Sequence, residues 1–307
     1  MATPRKRSTR RKSSHRNRSR AKRRSLFSNW LRTWNKASFR QRLAMIGSLI
    51  VITICIVALV ASLGIFVHWR IRVATATDEQ NESAVRYGFN PGYIISDGQF
   101  FNENAMSAAQ VQAFLDDQGG ALASMRFDTE TQPADGLCEV YEGATDETAA
   151  DIIDKSARAC GISQKVLLTM LQKEQHLVTA TNPTDFQIRA AMGLSCPDDA
   201  NCDPAYAGFF RQVYGAAHRY RYYMANSSDY TYHAGRFNYV PYNPDPSCGG
   251  SDIYIENDAT ALLYTYTPYQ PNQAALEAGT GTGDACSTYG NRNFSLIYSG
   301  WFGDPRL

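Results

Sequence analysis

Apolar residues form one unbroken run near the beginning of the sequence and recur at helical spacing in the rest of it. The run from Leu43 to Val67 contains 25 residues and no formal charge. At about 1.5 Å per residue, a helix of this length reaches about 37 Å, which exceeds the ~30 Å hydrocarbon core of a bilayer. The pattern predicts one transmembrane helix over residues 43–67, in contact with the lipid bilayer.

Beyond residue 89 the dominant signals are those of helices. Ser107 and Gln110 have the spacing of a capping box ahead of an apolar face, and a pair of glycines follows that face. Periodicity and caps predict further helices over residues 146–160, 163–178, 203–224, 258–266 and 293–302. Residues 252–256 alternate like a strand, and residues 226–250 have the Tyr, Pro and Asn content of loops or short strands. The predicted fold class is mainly α, of the α+β kind.

The charges on either side of the apolar run predict its orientation. Residues 1–42 hold 16 of the 31 Lys and Arg residues and no Asp or Glu. The positive-inside rule then predicts a single-pass protein of the cell membrane, with a cytoplasmic N-terminus and an extracytoplasmic C-terminal domain. A cleaved signal peptide is the alternative, because Ala74-Thr75-Ala76 has the form of a cleavage site. The apolar run is longer than the ~7 to 15 residues of a signal-peptide core, which favours a retained anchor.

The same charges bear on the partners. From His68 onward there are 15 basic and 29 acidic residues, a balance of −14, which argues against nucleic acid as a partner of the outer domain. The basic arm could bind anionic lipid headgroups or nucleic acid. The alternative for the arm is a disordered topology signal.

These boundaries predict four segments. We expect a basic, disordered cytoplasmic arm over residues 1–42 and a signal-anchor helix over residues 43–67. Residues 68–88 are polar and lack periodicity, which is typical of a stalk. Residues 89–307 are enough to bury a sizeable core as one extracytoplasmic domain with a Tyr-rich C-terminal extension.

Cysteine usage agrees with an oxidising compartment for that domain. Cys55 lies within the apolar run, and six cysteines follow it: Cys138, Cys160, Cys196, Cys202, Cys248 and Cys286. An even number predicts three disulfides, for which six cysteines allow 15 connectivities, and pairing of sequence neighbours is the simplest. Zinc is disfavoured because there is no C-x-x-C motif, and we expect neither metal nor cofactor. A cysteine peptidase would need a free thiolate, which paired cysteines do not supply.

One carboxylate is predicted on an apolar face. Helical spacing places Glu174 on the same stripe as Leu167, Met170, Leu171 and Val178. The polar residues of this helix that are expected on other faces are Lys165, Gln172 and Lys173. Apolar neighbours disfavour the charged form of a carboxyl and raise its pKa, which suits a general acid. The alternative is a Glu that turns to solvent or pairs with Arg189 or His176.

The sequence around Glu174 resembles a known group of enzymes. From Ala159 to Glu174 it reads A-C-G-I-S-x-x-V-L-L-x-x-L-x-x-E, similar to the segment of soluble lytic transglycosylases and goose-type lysozymes that leads into the catalytic glutamate. Ala191-Met192-Gly193-Leu194 is similar to their Gly-Leu-Met-Gln turn, which helps form the sugar groove. The resemblance covers roughly residues 146–225 and implies a lysozyme-like fold with Glu174 as acid and base. It also implies substrate contacts for Gln175, Met192 and Gly193, although Gln175 stands where the family usually has Ser.

The C-terminal third resembles a narrower group, actinobacterial envelope proteins that are secreted or anchored and of which some are labelled haemagglutinin-like. The motifs that carry this resemblance are S-C-G-G at 247–250, Y-T-P-Y-Q-P-N at 266–272, S-x-Y-G-N-R-N-F at 287–294 and W-F-G at 301–303. It implies a Gram-positive surface, where the accessible polymer is peptidoglycan.

Tyrosine usage suits a glycan partner. Twelve of the 18 tyrosines lie between Tyr214 and Tyr269, and a tyrosine ring offers a flat apolar face to sugar C–H groups and a hydroxyl for hydrogen bonding. The tyrosines predicted to contact substrate are Tyr222, Tyr264, Tyr266 and Tyr269. Core packing is the alternative for the others.

Two functions are consistent with the sequence. The first is a membrane-anchored, lytic transglycosylase-like enzyme that cleaves peptidoglycan glycan strands with Glu174 alone. A hydrolase would need a second carboxylate about 5 to 9.5 Å away, and the candidates are Asp185, Asp198 and Asp199. The second function is a non-catalytic wall-binding or adhesin-type module with a lysozyme-like fold.

Overall fold

The computed structural model describes residues 30–196 and 202–307, and the described chain is mainly helical. It has two compact units, Met1–Ile71 and Arg72–Leu307. In the first unit, helix α1 (Phe39–Tyr87) includes the apolar run, and the side chains of residues 46–67 are all exposed. This helix is long and apolar enough to cross a membrane, although a signal sequence would have the same properties. The orientation stays a prediction.

The segment expected as a stalk, residues 68–88, is helical as far as Tyr87, where α1 ends. Within the second unit, Gln80 and Ala84 of this helix are buried. The Gln80 side chain donates to the carbonyl of Tyr254 at 3.1 Å and accepts from its N–H at 3.0 Å. Polar residues there bind a strand backbone instead of water, so hydrophobic periodicity alone does not reveal the helix.

Within the described part of the chain, the second unit contains nine further α-helices and two small sheets. The helices are α2 (Asp97–Phe100), α3 (Ala108–Gln118), α4 (Ala149–Cys160), α5 (Gln164–Gln175), α6 (Asp185–Arg189), α7 (Phe209–Ala225), α8 (Asp258–Tyr266), α9 (Gln273–Glu277) and α10 (Gly290–Phe302). Strand β1 (Arg126–Phe127) pairs antiparallel with β2 (Glu147–Thr148). Strand β3 (Arg236–Pro241) pairs antiparallel with β4 (Gly250–Ile255), with Arg236 opposite Ile255 and Pro241 opposite Gly250. The mainly α class is confirmed, with a minor β component.

Most helix ends follow the predicted signals. The capping box of Ser107 and Gln110 forms both of its hydrogen bonds at the start of α3. Helix α5 is shorter than predicted because His176 adopts a left-handed conformation with φ 55° and ends it. Asp203 caps only a 3₁₀ turn (Pro204–Tyr206), and α7 begins later, at Phe209.

Helix α5 lies at the centre of the core. Its fully buried apolar side chains are Val166, Leu167, Leu168, Met170 and Leu171. Helix α10 packs against α5, while α4 packs against both α3 and α7. The C-terminal end of this buried helix, which carries Glu174, is therefore held from several sides.

The predicted disulfide pairing is confirmed. The bonds join Cys138 to Cys160, Cys196 to Cys202, and Cys248 to Cys286. Over the described residues, Cys55 is the free cysteine. None of the six disulfide-bonded cysteines is therefore available as a thiolate nucleophile.

Candidate functional site

Glu174 lies at the end of α5, one residue before the helix terminates at Gln175. Its side chain is 23% exposed, so the carboxylate is held by the protein and still reachable from outside. Gly193 lies directly beside it: a Cβ at Gly193 would be 3.2 Å from Oε2 of Glu174. Gly193 also has φ +66°, a backbone conformation that favours glycine. The sequence motif thus brings the predicted acid and the predicted glycine turn together.

Lys173 changes the expected electrostatics of this carboxylate. Helical spacing placed Lys173 on another face, but that expectation is wrong, because its side chain is only 4% exposed and its Nζ forms an ion pair with Oε1 of Glu174. Nζ also donates to Oγ1 of Thr267 at 3.1 Å and lies 6.0 Å from the centre of the Tyr266 ring. The lysine stem is long and flexible, so its ammonium can reach a carboxylate, a hydroxyl and a ring face at the end of the helix instead of bulk water.

The turn from Met192 to Leu194, beside Glu174, is held by the buried side-chain amide of Gln212. Gln212 of α7 is 1% exposed, and its Oε1 accepts from the N–H groups of Met192 at 3.0 Å and Leu194 at 3.1 Å. Its Nε2 donates to the carbonyls of Leu194 at 3.0 Å and Tyr206 at 2.8 Å. Because all four bonds are buried or nearly so, they specify one position for the turn.

Aromatic residues complete this side of the site. The Tyr266 hydroxyl donates to the carbonyl of Met192 at 2.6 Å, and its ring stacks on that of Tyr220 at 5.1 Å. Burial raises the pKa of both tyrosines, and the nearby negative charge of Glu174 raises it further. Both hydroxyls therefore stay protonated at neutral pH and act as hydrogen-bond donors.

The other predicted substrate residues lie in different places. Tyr264 is completely buried and donates to the carbonyl of Pro91 at 3.0 Å, so its expected contact with substrate is corrected to a core contact. Tyr269 is half-buried, and its carbonyl accepts from Asn291 at 2.9 Å. Gln175 is half-buried, and its carbonyl accepts from Gln187 at 2.8 Å. Tyr222 is 41% exposed and lines a cavity on α7.

That cavity is a groove of about 950 Å³ along one face of α7. We call it the tyrosine groove, because its walls include Tyr206, Tyr214, Tyr222 and Tyr230. Its polar lining consists of Glu130, Gln132, Asp135, Arg211, His218 and Arg219. Glu174 is not among the described residues that line it. Aromatic faces and charged groups therefore meet in a groove that the sequence did not predict, although Tyr222 was singled out.

Two contacts between basic and acidic side chains lie in the tyrosine groove. Nε of Arg211 lies 2.8 Å from Glu130, and Nε2 of His218 lies 2.6 Å from Asp135. The hydrogen bond from His218, together with the N–H of Cys138, lowers the pKa of Asp135 to about 2. These two contacts join the segment from Glu130 to Asp135, which precedes Cys138, to α7.

A second carboxylate for hydrolysis is not evident. Asp185 is exposed in the first turn of α6, and Asp198 and Asp199 lie outside the described residues. Over residues 30–196 and 202–307, no group of His, Cys, Asp and Glu side chains could hold a metal ion. The chemistry supported by the described residues therefore centres on Glu174.

Sequence reasoning missed three residues of the site: Lys173, Thr267 and Gln212. A signal existed only for Gln212, which stands within an apolar stretch of α7 between Phe210 and Val213. A polar residue among core positions is typically buried with its hydrogen bonds satisfied. Lys173 and Thr267 are separated by 94 positions, and no local pattern joins them.

The fold and the site define a mainly helical, disulfide-linked domain with a partly exposed carboxylate beneath a fixed glycine turn. The family model for "LasA, N-terminal domain" matches residues 93–307, and the chain belongs to this family. No curated protein and no solved structure matches the chain. The resemblances to lytic transglycosylases and to actinobacterial envelope proteins stay predictions.

Proposed function

We propose that the protein acts on the cell wall from the outer face of the membrane and cleaves peptidoglycan glycan strands with Glu174. The family supports the general part of this proposal: LasA is a staphylolytic peptidase-like protein, and a LasA-like domain suggests a cell-wall-acting function. The single observation that supports glycan cleavage is the placement of the Glu174 carboxylate, which is partly exposed and whose Oε2 lies 3.2 Å from the position that a Cβ on Gly193 would take.

In the proposed reaction the Glu174 carboxyl donates its proton to the glycosidic oxygen while the bond from that oxygen to C1 breaks. The resulting carboxylate then removes the proton of the muramyl 6-hydroxyl, whose oxygen bonds to C1 and closes a 1,6-anhydro ring. One carboxylate serves both steps and no water is consumed. Gln212 and Tyr266 act as positioning residues, because they fix the Met192 to Leu194 turn beside the carboxylate.

One observation favours a second function, a non-catalytic wall-binding module. The buried Nζ of Lys173 forms an ion pair with Oε1 of Glu174, so this oxygen already has a partner within the protein. For glycan cleavage, substrate must displace Lys173 from Oε1. For a binding module, the ion pair simply stabilises the end of α5.

The test compares wild type with Glu174→Gln on purified peptidoglycan, using the full-length protein in detergent. Gln keeps the size of the side chain but removes both the transferable proton and the negative charge that pairs with Lys173, so the fold of the variant is checked by circular dichroism. We expect release of 1,6-anhydromuropeptides by wild type and a loss of roughly 10²- to 10⁴-fold in the variant. The matched control is Glu139→Gln, since Glu139 is an exposed carboxylate and should keep full activity.

The outcomes separate the two functions. Activity of Glu174→Gln within about ten-fold of wild type excludes Glu174 as the acid, since that is below the range of general acid catalysis. If neither protein releases muropeptides and both sediment with peptidoglycan, the wall-binding module is the correct function.

A further inference from the structure

Among the residues that the structure describes, the tyrosine groove contains one arginine without a carboxylate partner. Its other basic side chains, Arg211 and His218, pair with Glu130 and Asp135. Arg219 lines the same groove and forms no ion pair with a carboxylate among the described residues. Since a half-buried charge without a counter-ion is costly, this arrangement indicates a ligand that supplies the negative charge.

Aromatic side chains hold Arg219 in place. Its Nη2 donates to the Tyr206 hydroxyl at 3.2 Å, and its guanidinium carbon lies 5.6 Å from the Tyr206 ring centre and 6.0 Å from that of Tyr223. Tyr223 in turn contacts Tyr230 edge to face at 4.7 Å. A guanidinium fixed in this way loses little rotamer freedom when it binds, and it still has N–H donors for a bidentate contact.

The rest of the groove indicates what carries the anionic group. Tyr222 presents a largely exposed ring at the groove, and Tyr206 and Tyr230 are half-buried there. Tyrosine rings offer stacking faces for sugar C–H groups, while a guanidinium matches the planar geometry of a carboxylate. The volume of about 950 Å³ is sufficient for an oligosaccharide of a few units.

We propose that the tyrosine groove binds a carboxylate-bearing saccharide, with Arg219 pairing with the carboxylate and Tyr222 stacking on a sugar ring. This inference rests on the proposed function, because a wall glycan whose muramic acid units have lost their stem peptides carries free lactyl carboxylates. It adds a specificity residue away from Glu174: Arg219 selects acidic over neutral sugar units. Binding at the groove requires no cleavage at Glu174.

The test measures binding of two disaccharides to full-length protein in detergent by isothermal titration calorimetry. The acidic probe is N-acetylglucosaminyl-N-acetylmuramic acid, and the neutral probe is N,N′-diacetylchitobiose, which has the same acetamido sugar rings without the lactyl carboxylate. Wild type should bind the acidic probe at least about ten-fold more tightly, the lower end of what a charge-assisted hydrogen bond contributes. Arg219→Gln should bind both probes with equal affinity.

Matched variants keep the result interpretable. Arg211→Gln removes a cation from the same groove that is already paired with Glu130, and it should keep the preference for the acidic probe. Tyr222→Ala should weaken both probes equally, since it removes a ring that is 41% exposed at the groove and leaves Arg219 in place. Should Arg219→Gln fail to fold, Arg219→Lys keeps the charge but loses the bidentate geometry, and it should lose most of the preference.

Several results would overturn the inference. The first is that wild type binds both probes with equal affinity, and the second is that it binds neither. The third is that Arg219→Gln, or Arg219→Lys if the Gln variant does not fold, keeps the wild-type preference for the acidic probe. Failure of the proposed function is a separate result, because Glu174→Gln is scored by cleavage of peptidoglycan, whereas this inference is scored by the preference between the two probes in wild type and Arg219→Gln. If wild type cleaves peptidoglycan without preferring the acidic probe, the proposed binding of an acidic saccharide at the tyrosine groove is refuted, while the proposed role of Glu174 in cleavage stands.

Discussion

Gly193 shows how a single residue couples backbone conformation to the position of the acid. Its φ of +66° already favours glycine, and a side chain there would also approach Oε2 of Glu174 to 3.2 Å. Gly235 has a similar φ of +74° but nothing within 4 Å of a Cβ. The two glycines therefore share the backbone constraint and differ in the contact.

Replacing these glycines by alanine separates the two effects. We expect Gly193→Ala and Gly235→Ala each to lose about 1 kcal/mol of unfolding free energy in urea, because left-handed backbone is unfavourable for alanine. Only Gly193→Ala should also slow glycan cleavage, by roughly ten-fold, less than the ~10²-fold that a 1 Å misplacement can cost. Equal cleavage rates in the two variants would show that Gly193 does not position Glu174.

At the scale of elements, the His218 to Asp135 contact joins α7 to the segment that precedes the Cys138 disulfide. The pKa of Asp135 falls from 3.8 to about 2 in the folded protein. A carboxylate with a lowered folded pKa stabilises the protein above its unfolded pKa, and the stabilisation disappears as pH falls through the folded value. Because Asp135 is 44% exposed, solvent weakens the contribution.

We predict that Asp135→Asn lowers the urea midpoint by a constant amount between pH 7 and about 4. The difference from wild type should shrink as the pH falls from about 4 to about 2. Asn keeps the oxygen that accepts from the N–H groups of Leu137 and Cys138, so the variant tests the charge. Asp117→Asn, at an exposed carboxylate, should show no such dependence. A difference that persists unchanged at pH 2 would contradict this assignment.

Local signals predicted most elements, and long-range contacts account for what they missed. The capping box before α3 and the glycine after α4 act within a few residues, so the sequence reveals them. Disulfide pairing was predictable because each bond joins neighbouring cysteines. The position of the Lys173 side chain was not predictable, since it depends on Tyr266, the last residue of α8, and on Thr267, which follows it. The acid and its glycine turn were predictable from a motif, whereas the tyrosine groove required segments far apart in sequence.

For the whole molecule, the helical domain Arg72–Leu307 depends on disulfides that close loops of very different length. Cys196 and Cys202 are 6 positions apart, while Cys248 and Cys286 are 38 apart. All four cysteines are half-buried, so replacing either pair changes core packing to a similar extent. The main difference is the conformational freedom that each bond removes from the unfolded chain.

The two pairs should therefore differ in their contribution to stability. The chain-entropy relation gives about 2 kcal/mol for the shorter loop and about 4 kcal/mol for the longer one. For a domain of this size, 1 kcal/mol corresponds to roughly 2 to 4 °C in Tm. We expect Cys248→Ala/Cys286→Ala to melt well below Cys196→Ala/Cys202→Ala, with both below wild type, when Tm is followed by circular dichroism.

Thiol titration of denatured, non-reduced wild type should find only Cys55, which confirms that the three bonds are intact before the comparison. If replacing the pair that closes the shorter loop lowers Tm as much as replacing the other pair, loop entropy does not explain how these bonds stabilise the domain. Local contacts at the Cys196 turn, close in sequence to Gly193, would then account for the additional stabilisation by the Cys196 to Cys202 bond.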